Sequence, residues 1–302
     1  MKAIVLHEYG GPDKLKYEDV EDPMPGEGQV LVRLAATSVN PIDFKMRSGA
    51  AKERFPVEFP GILGRDVSGT IRGLGPRVNG FAPGDKVMAL GRQTYAELVV
   101  VDAADVARVP DGLDLIEAAA LPLVTLTGEQ LISLGTKIEK GQTVLVTGAI
   151  GGVGRTAVFV AKQAGATVFA GVRKSQKQQA IELGADEVIA LDDEGDLARI
   201  GFLDTVADTV GGETAQMLMG KVKQGGVFAS VLGPPANAKM HPTVRVQPVV
   251  AKPDALKLRW LAEQVAAGRL RIPIDRMVPL EDAGKAQAAA ERGGIGKILL
   301  LA

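Results

Sequence analysis

Residues 146–154 read VTGAIGGVG, and the β-branched run before them (TVLVTG, 143–148) gives way to RTAVFVAKQAGA, whose apolar residues recur at helical spacing. A strand that becomes a helix through glycines can be built in few ways. Gly151 allows a tight turn and a close backbone approach to a pyrophosphate, and Gly154 allows the helix to lie close on the sheet. The unpaired N–H groups and the positive end of that helix then face an anion. Ala149 stands where the usual G-x-G-x-x-G pattern has its first glycine, so the match is A-x-G-x-x-G. Ala149, Gly151, Gly152, Val153 and Gly154 are the residues expected at a dinucleotide; a glycine-rich β–α turn without a ligand is the alternative.

The surroundings favour the first reading. Apolar strands at TVFAGV (167–172), EVIAL (187–191), DTVADTV (204–210) and VFASVLG (227–233) alternate with helices expected over 152–164, 175–183 and 212–222. Short, nearly continuous apolar strands separated by helices predict a parallel sheet with right-handed crossovers. The first hundred residues differ. Short runs such as AIVL (3–6), QVLVRLAATSV (29–39) and DKVMAL (85–90) are punctuated by PMPGEG, GPRVNG and FAPGD, the turn chemistry of a β-rich barrel or sandwich. Pro122 interrupts an Ala/Leu-rich helical stretch, PDALKLRWLAEQVAAG (253–268) is the last long helix, and GKILLLA closes the chain as a strand. The class is α/β.

Across 302 residues Lys plus Arg is 35 and Asp plus Glu is 36, which argues against nucleic acid as the main partner. No cysteine is present, so thiolate zinc sites, Fe–S clusters and cysteine nucleophiles are excluded. The N-terminus has no signal-peptide layout and no apolar run reaches membrane-spanning length, which makes a cytoplasmic protein the expectation.

The nucleotide is read at the end of the second strand, where NAD sites place an acid for the ribose 2′-hydroxyl. Here AGVRKSQK (170–177) offers Arg173, Lys174 and Lys177 and no acid. Cations at a helix start are unfavourable unless an anion joins them, so NADPH, with its 2′-phosphate, is the expected cofactor. The other reading is that these residues decorate an exposed helix start. Gly211 and Gly233, at later strand ends, either contact the dinucleotide or only turn the chain.

Several segments, in order, resemble the medium-chain dehydrogenase/reductase superfamily, in its zinc-free quinone oxidoreductase (zeta-crystallin-like) branch. They are SVNPIDFKMRSG (38–49), FPGILGRDVSGTI (59–71), FAPGDKV (81–87), ALPLVTLTG (120–128), VTGAIGGVG, LGADEVI (183–189) and the terminal GKILLL. The resemblance implies a GroES-like catalytic domain from residues 1–118 with 269–302, a Rossmann NADPH-binding domain over 119–268, an active site in the cleft between them, and a homodimer. Asn40 stands where zinc-dependent relatives place a Cys ligand, Arg65-Asp66 where they place a His-Glu pair, and Leu121 or Pro122 near the third position, so no metal is expected. The chemistry implied is hydride delivery from NADPH to a small-molecule acceptor already activated by conjugation. By likeness Asn40 borders the nicotinamide and substrate, and Thr127 contacts the cofactor. Arg65, in the vacated metal position, is either a donor to a developing enolate or hydroquinone anion or a partner of Asp66 or Asp43 in a buried ion pair. Asn40 has a second reading as the cap of a turn before Pro41. Quinone reductases of this branch carry an Asn-Tyr pair after the third strand and a Tyr after Arg-Ser-Gly; this chain has Ala190-Leu191 and AAKERF (50–55). The acceptor is therefore left open between a quinone, a conjugated ketone or aldehyde, and an enoyl thioester of a biosynthetic pathway. A non-catalytic NADPH-binding protein is the remaining class.

Overall fold

A computed structural model describes residues 1–294 and 296–302. The chain divides into two compact units, Val124–Lys252 and the pair Met1–Leu123 with Pro253–Ala302.

Val124–Lys252 is built on six parallel strands in the order Glu187–Ala190, Thr167–Val172, Thr143–Thr147, Leu203–Asp208, Val222–Ser230, Arg245–Pro248. Numbered along the chain this is 3-2-1-4-5-6, the doubly wound order. Both faces are covered, which explains the near-continuous apolar strands. Val144 and Val146 pack on one face with Ala157, Val158 and Ala161 of the helix Gly152–Gln163. Leu145, between them, packs on the other face with Leu218 and Phe228. The helix buries Gly154, Ala157, Val158 and Ala161, one stripe at spacings of three and four, and stops before Gly165 at φ 77°.

Three local expectations change. The helix read over 175–183 is three short turns, Lys174–Gln176, Lys177–Ala180 and Ile181–Leu183; of this polar stretch only Ala180 is buried, with Leu183 packed partly against the core. The helix read over 212–222 ends at Met219, and Val222 already begins the next strand. The helix Glu194–Arg199 and the edge strand Arg245–Pro248 were not legible; both are short, and RVQP carries one apolar residue before its proline.

In the other unit, Gln29–Ser38 is the central strand, paired antiparallel with Asp66–Leu74, Leu98–Asp102 and the C-terminal strand Lys297–Leu301. The register Leu299↔Ser38 sets Lys297 near the residues that follow Ser38. A smaller antiparallel sheet joins Leu15–Asp19, Lys2–Leu6 and Gly61–Ile62. The long helix, Ala255–Ala266, belongs to this unit and lies against Val106–Arg108, whereas the sequence reading carried it with the nucleotide-binding segment to residue 268. Among the described residues no helix is long and apolar enough to cross a membrane.

Candidate functional site

Within Val124–Lys252 the expected cofactor residues gather on the carboxyl edge of the parallel sheet, where such folds bind ligands. Ala149 is buried, with its N–H on Gly171 O at 3.2 Å. Gly151 is exposed at the N-cap of Gly152–Gln163 and no side chain caps that end, so its first-turn N–H groups are open to an anion. A Cβ on Gly154 would lie 2.2 Å from Gly148 O and 2.7 Å from Ala149 Cα, so here glycine serves close helix–strand packing. A Cβ on Gly151 would meet only Gly148 O, at 3.4 Å, and the room above the turn is what a pyrophosphate needs. The turn therefore fits a dinucleotide. Gly128, on the helix Pro122–Gln130 that also carries the nearly buried Thr127, lets that helix approach Val153 O and Thr156.

Gly211 starts the helix Gly212–Met219 at φ 72°, and Gly233 follows the next strand at φ 98° with open space where a Cβ would stand. Both lie near a polar knot that sequence reasoning missed. Asp208, wholly buried at its strand's end, accepts from Thr147 Oγ1 at 2.9 Å, Gly211 N at 3.0 Å and Val210 N at 3.1 Å; its second oxygen accepts from Ser230 Oγ at 2.7 Å. Thr209 adds bonds from N and Oγ1 to Thr147. Three adjacent strand ends are thus tied together beneath the glycines. The visible signal was an acid ending DTVAD, an otherwise apolar strand.

The cationic stretch is more committed than its composition suggests. Lys174 Nζ pairs with Asp193 at 2.7 Å, and Lys177 Nζ with Asp196 at 2.8 Å. Lys177 first, then Ala190 N and Arg199, hold the Asp196 carboxyl well below the ordinary range. Arg173 is exposed at the end of its strand, with its backbone N–H on Gln176 Oε1. Of the two cations expected at the 2′-phosphate, Arg173 is uncommitted and Lys177 is held by an acid.

The second cluster lies in the other unit, where the strand Gln29–Ser38 leads into the helix Pro41–Arg47. Asn40, 1% exposed, gives its Nδ2 to Asp66 Oδ2 at 2.7 Å and takes Lys297 Nζ on Oδ1 at 2.5 Å. Asp66, at 0% exposure, also accepts from Ser38 Oγ and, on Oδ1, from Leu123 N at 2.7 Å. Asp43 Oδ2 takes Asn40 N at 2.8 Å and Tyr95 OH at 3.0 Å, while Asp43 Oδ1 finds no donor. Burial, reinforced by the Asp66 charge, pushes Asp43 up to about 7. Burial pulls Lys297 below the ordinary lysine value against the opposing pull of Asp66 and Asp43. Two fully buried carboxylates and one buried ammonium thus meet in one cluster.

Arg65 adjoins the cluster without pairing in it. Its Nε donates to Gly91 O at 3.0 Å, and among the described residues no ion pair joins it to Asp43 or Asp66. Burial lowers its guanidinium, against the opposing pull of the Asp43 charge and with that of the neighbouring Arg92. The partner of Asp66 is Lys297, which the sequence reading noticed only as part of GKILLL. The available signal was a lone cation at the head of an aliphatic strand. Among the described residues no group of three or more His, Cys, Asp or Glu side chains is placed to hold a metal ion.

Residues 26–111 match the alcohol dehydrogenase GroES-like domain and residues 183–300 the zinc-binding dehydrogenase domain. The mitochondrial NAD(P)H oxidoreductase RTN4IP1 of Mus musculus is 33% identical, over 97% of this chain and 87% of its own length. The quinone oxidoreductase from Coxiella burnetii superposes with a TM-score of 0.88 at 30% identity, covering 100% of this chain and 99% of that one. A mycobacterial protein solved with NADPH has a TM-score of 0.86 at 27% identity, over 100% of both chains.

Proposed function

The chain belongs to the medium-chain dehydrogenase/reductase superfamily, in its quinone oxidoreductase branch, and from that premise we propose that it is an NADPH-dependent reductase of quinones or conjugated carbonyls. That it is an NAD(P)H-dependent oxidoreductase rests on its relatives; NADPH and the class of acceptor are the finer reading. The observation that carries it is the uncapped helix N-terminus at Gly151–Gly154, set on the carboxyl edge of a doubly wound sheet.

When bound, the nicotinamide cofactor supplies hydride. The first-turn N–H groups of Gly152, Val153 and Gly154 would hold its pyrophosphate, with Thr127, Gly211 and Gly233 as further contacts. Arg173 would meet the 2′-phosphate of NADPH, and Lys177, now paired with Asp196, would be the second cation within the same stretch. Asn40 orders the reacting end, and the Arg65 guanidinium, whose Nε alone is used by Gly91 O, offers its remaining N–H groups to the oxygen that becomes anionic.

What supports NADPH is the exposed Arg173 and the absence of an acid at the end of Thr167–Val172, together with the NADPH complex of the mycobacterial neighbour. A homodimer would use the edge strand Arg245–Pro248, which is hydrogen-bonded along one side only.

The test is the loss of reduced-nicotinamide absorbance with NADPH, and separately NADH, against 1,4-benzoquinone, 9,10-phenanthrenequinone and 1-octen-3-one. Faster oxidation of NADPH supports the cofactor assignment, and the better acceptor decides between quinone and enone. Preference for NADH would overturn the role given to Arg173. Tight NADPH binding without turnover on any acceptor would overturn the catalytic reading.

A further inference from the structure

The C-terminal strand Lys297–Leu301 is aliphatic except for its first residue, which carries an ammonium into the interior with a side-chain exposure of 9%. Burying a cation is unfavourable until its partners repay the lost hydration, and replacing a buried ion pair as a whole by apolar side chains often leaves stability unchanged or raises it. The partners of Lys297 show what it does. Its Nζ lies 2.5 Å from Asn40 Oδ1, 3.1 Å from Val39 O and 3.6 Å from Asp66 Oδ2. Asp66 Oδ2 takes the other end of the same carboxamide, Asn40 Nδ2, at 2.7 Å. The Asn40 side chain therefore sits with a cation on its oxygen and an anion on its nitrogen. Turning it over would set its NH2 against an ammonium and its oxygen against a carboxylate, so one orientation is enforced. Through Asp66 Oδ1 and Leu123 N the same constraint reaches the start of the helix Pro122–Gln130.

We propose that Lys297 is a positioning residue for hydride transfer: with Asp66 it locks the Asn40 carboxamide and the Val39–Asn40 backbone in the single arrangement the reaction uses. This rests on the reading that Asn40 serves the reacting end, and the experiment separates the two ideas.

Turnover, the KM for NADPH and the KM for the acceptor are measured for the wild type, Asn40→Ala, Lys297→Met, Lys297→Arg and the double variant Asn40→Ala/Lys297→Met. Asn40→Ala retaining full turnover would overturn the role of Asn40 itself. If Asn40→Ala loses turnover, Lys297→Met is expected to lower kcat on the order of 100-fold with both KM values nearly unchanged, the cost of a small misplacement at a reacting centre. Lys297→Arg, which keeps the charge, recovers part of that loss. The double variant is expected to be no worse than Asn40→Ala alone, because both changes remove the same interaction. Lys297→Met with wild-type kcat, or losses in the double variant that multiply, would overturn the proposal. Should Lys297→Met fail to fold, Asp66→Asn/Lys297→Met removes both buried charges and keeps an acceptor for Leu123 N. A folded, NADPH-binding form of that variant with wild-type kcat overturns the proposal equally.

Discussion

Asp43 carries its burial as a pH dependence. Its folded pKa, about 7, lies above the ordinary 3.8, so its contribution to stability is complete below about pH 4 and is lost as pH rises through 7. Across that window unfolding free energy should fall by up to about 1.4 kcal/mol per pH unit relative to a chain without this carboxyl. Asp43→Asn keeps an acceptor for Asn40 N and Tyr95 OH, and urea denaturation at pH 5 and pH 8 should show its slope with pH flattened. A second side-chain prediction concerns Lys177. Asp196→Asn weakens the grip on that ammonium while retaining an oxygen for Ala190 N. NADPH should then bind roughly 10-fold more tightly with NADH unchanged, and Arg173→Ala should weaken NADPH by a similar factor, read by cofactor fluorescence. Equal effects on both cofactors would remove these residues from the 2′-phosphate.

At the scale of the strand–turn–helix element, two glycines three positions apart have different tasks. Gly154→Ala drives a methyl group into Gly148 O and should destabilise the fold by about 3 kcal/mol. Gly151→Ala meets only a contact of 3.4 Å at an ordinary φ of −75°, and should leave the melting temperature nearly unchanged while weakening cofactor binding. Thermal unfolding and NADPH titration of the pair separate packing from binding. This element was legible because its chemistry is local: glycine, strand and helix are contiguous in the chain. The parallel strands were legible for the same reason, since burial on both faces leaves an unbroken apolar run. What escaped notice joins distant residues. Lys297 meets Asn40 257 positions away, and Asp208 gathers Thr147 and Ser230 from 61 and 22 positions away. A lone acid or cation in an apolar strand marks a buried charge, but the local pattern does not say which distant residue it meets. The short turns after Arg173 escaped for another reason: so few of their side chains reach the core that no period is written there.

For the whole molecule, the decisive fact is which segments complete which sheet. All six parallel strands and their two apolar faces lie within one continuous stretch, so a fragment spanning residues 122–252 should fold alone and bind NADPH. Circular dichroism and cofactor titration of that fragment check it. Residues 1–123 alone should be markedly less stable, because Ala36–Ser38 at the end of the central strand then lose their partners Leu299–Leu301, while Gln29–Arg33 keep Leu98–Asp102. That arrangement has a consequence for the chain as it is made. At roughly 5–20 residues per second, the 257 residues between Asn40 and Lys297 occupy roughly 13–50 s of synthesis. Throughout that interval Asp66 and Asn40 have emerged without their cation, while the inserted unit already has everything it needs. The nascent first unit must wait, its central strand unpaired at Ala36–Ser38 on one side, until Lys297–Leu301 have been added, and it is in that interval that a chaperone would find it.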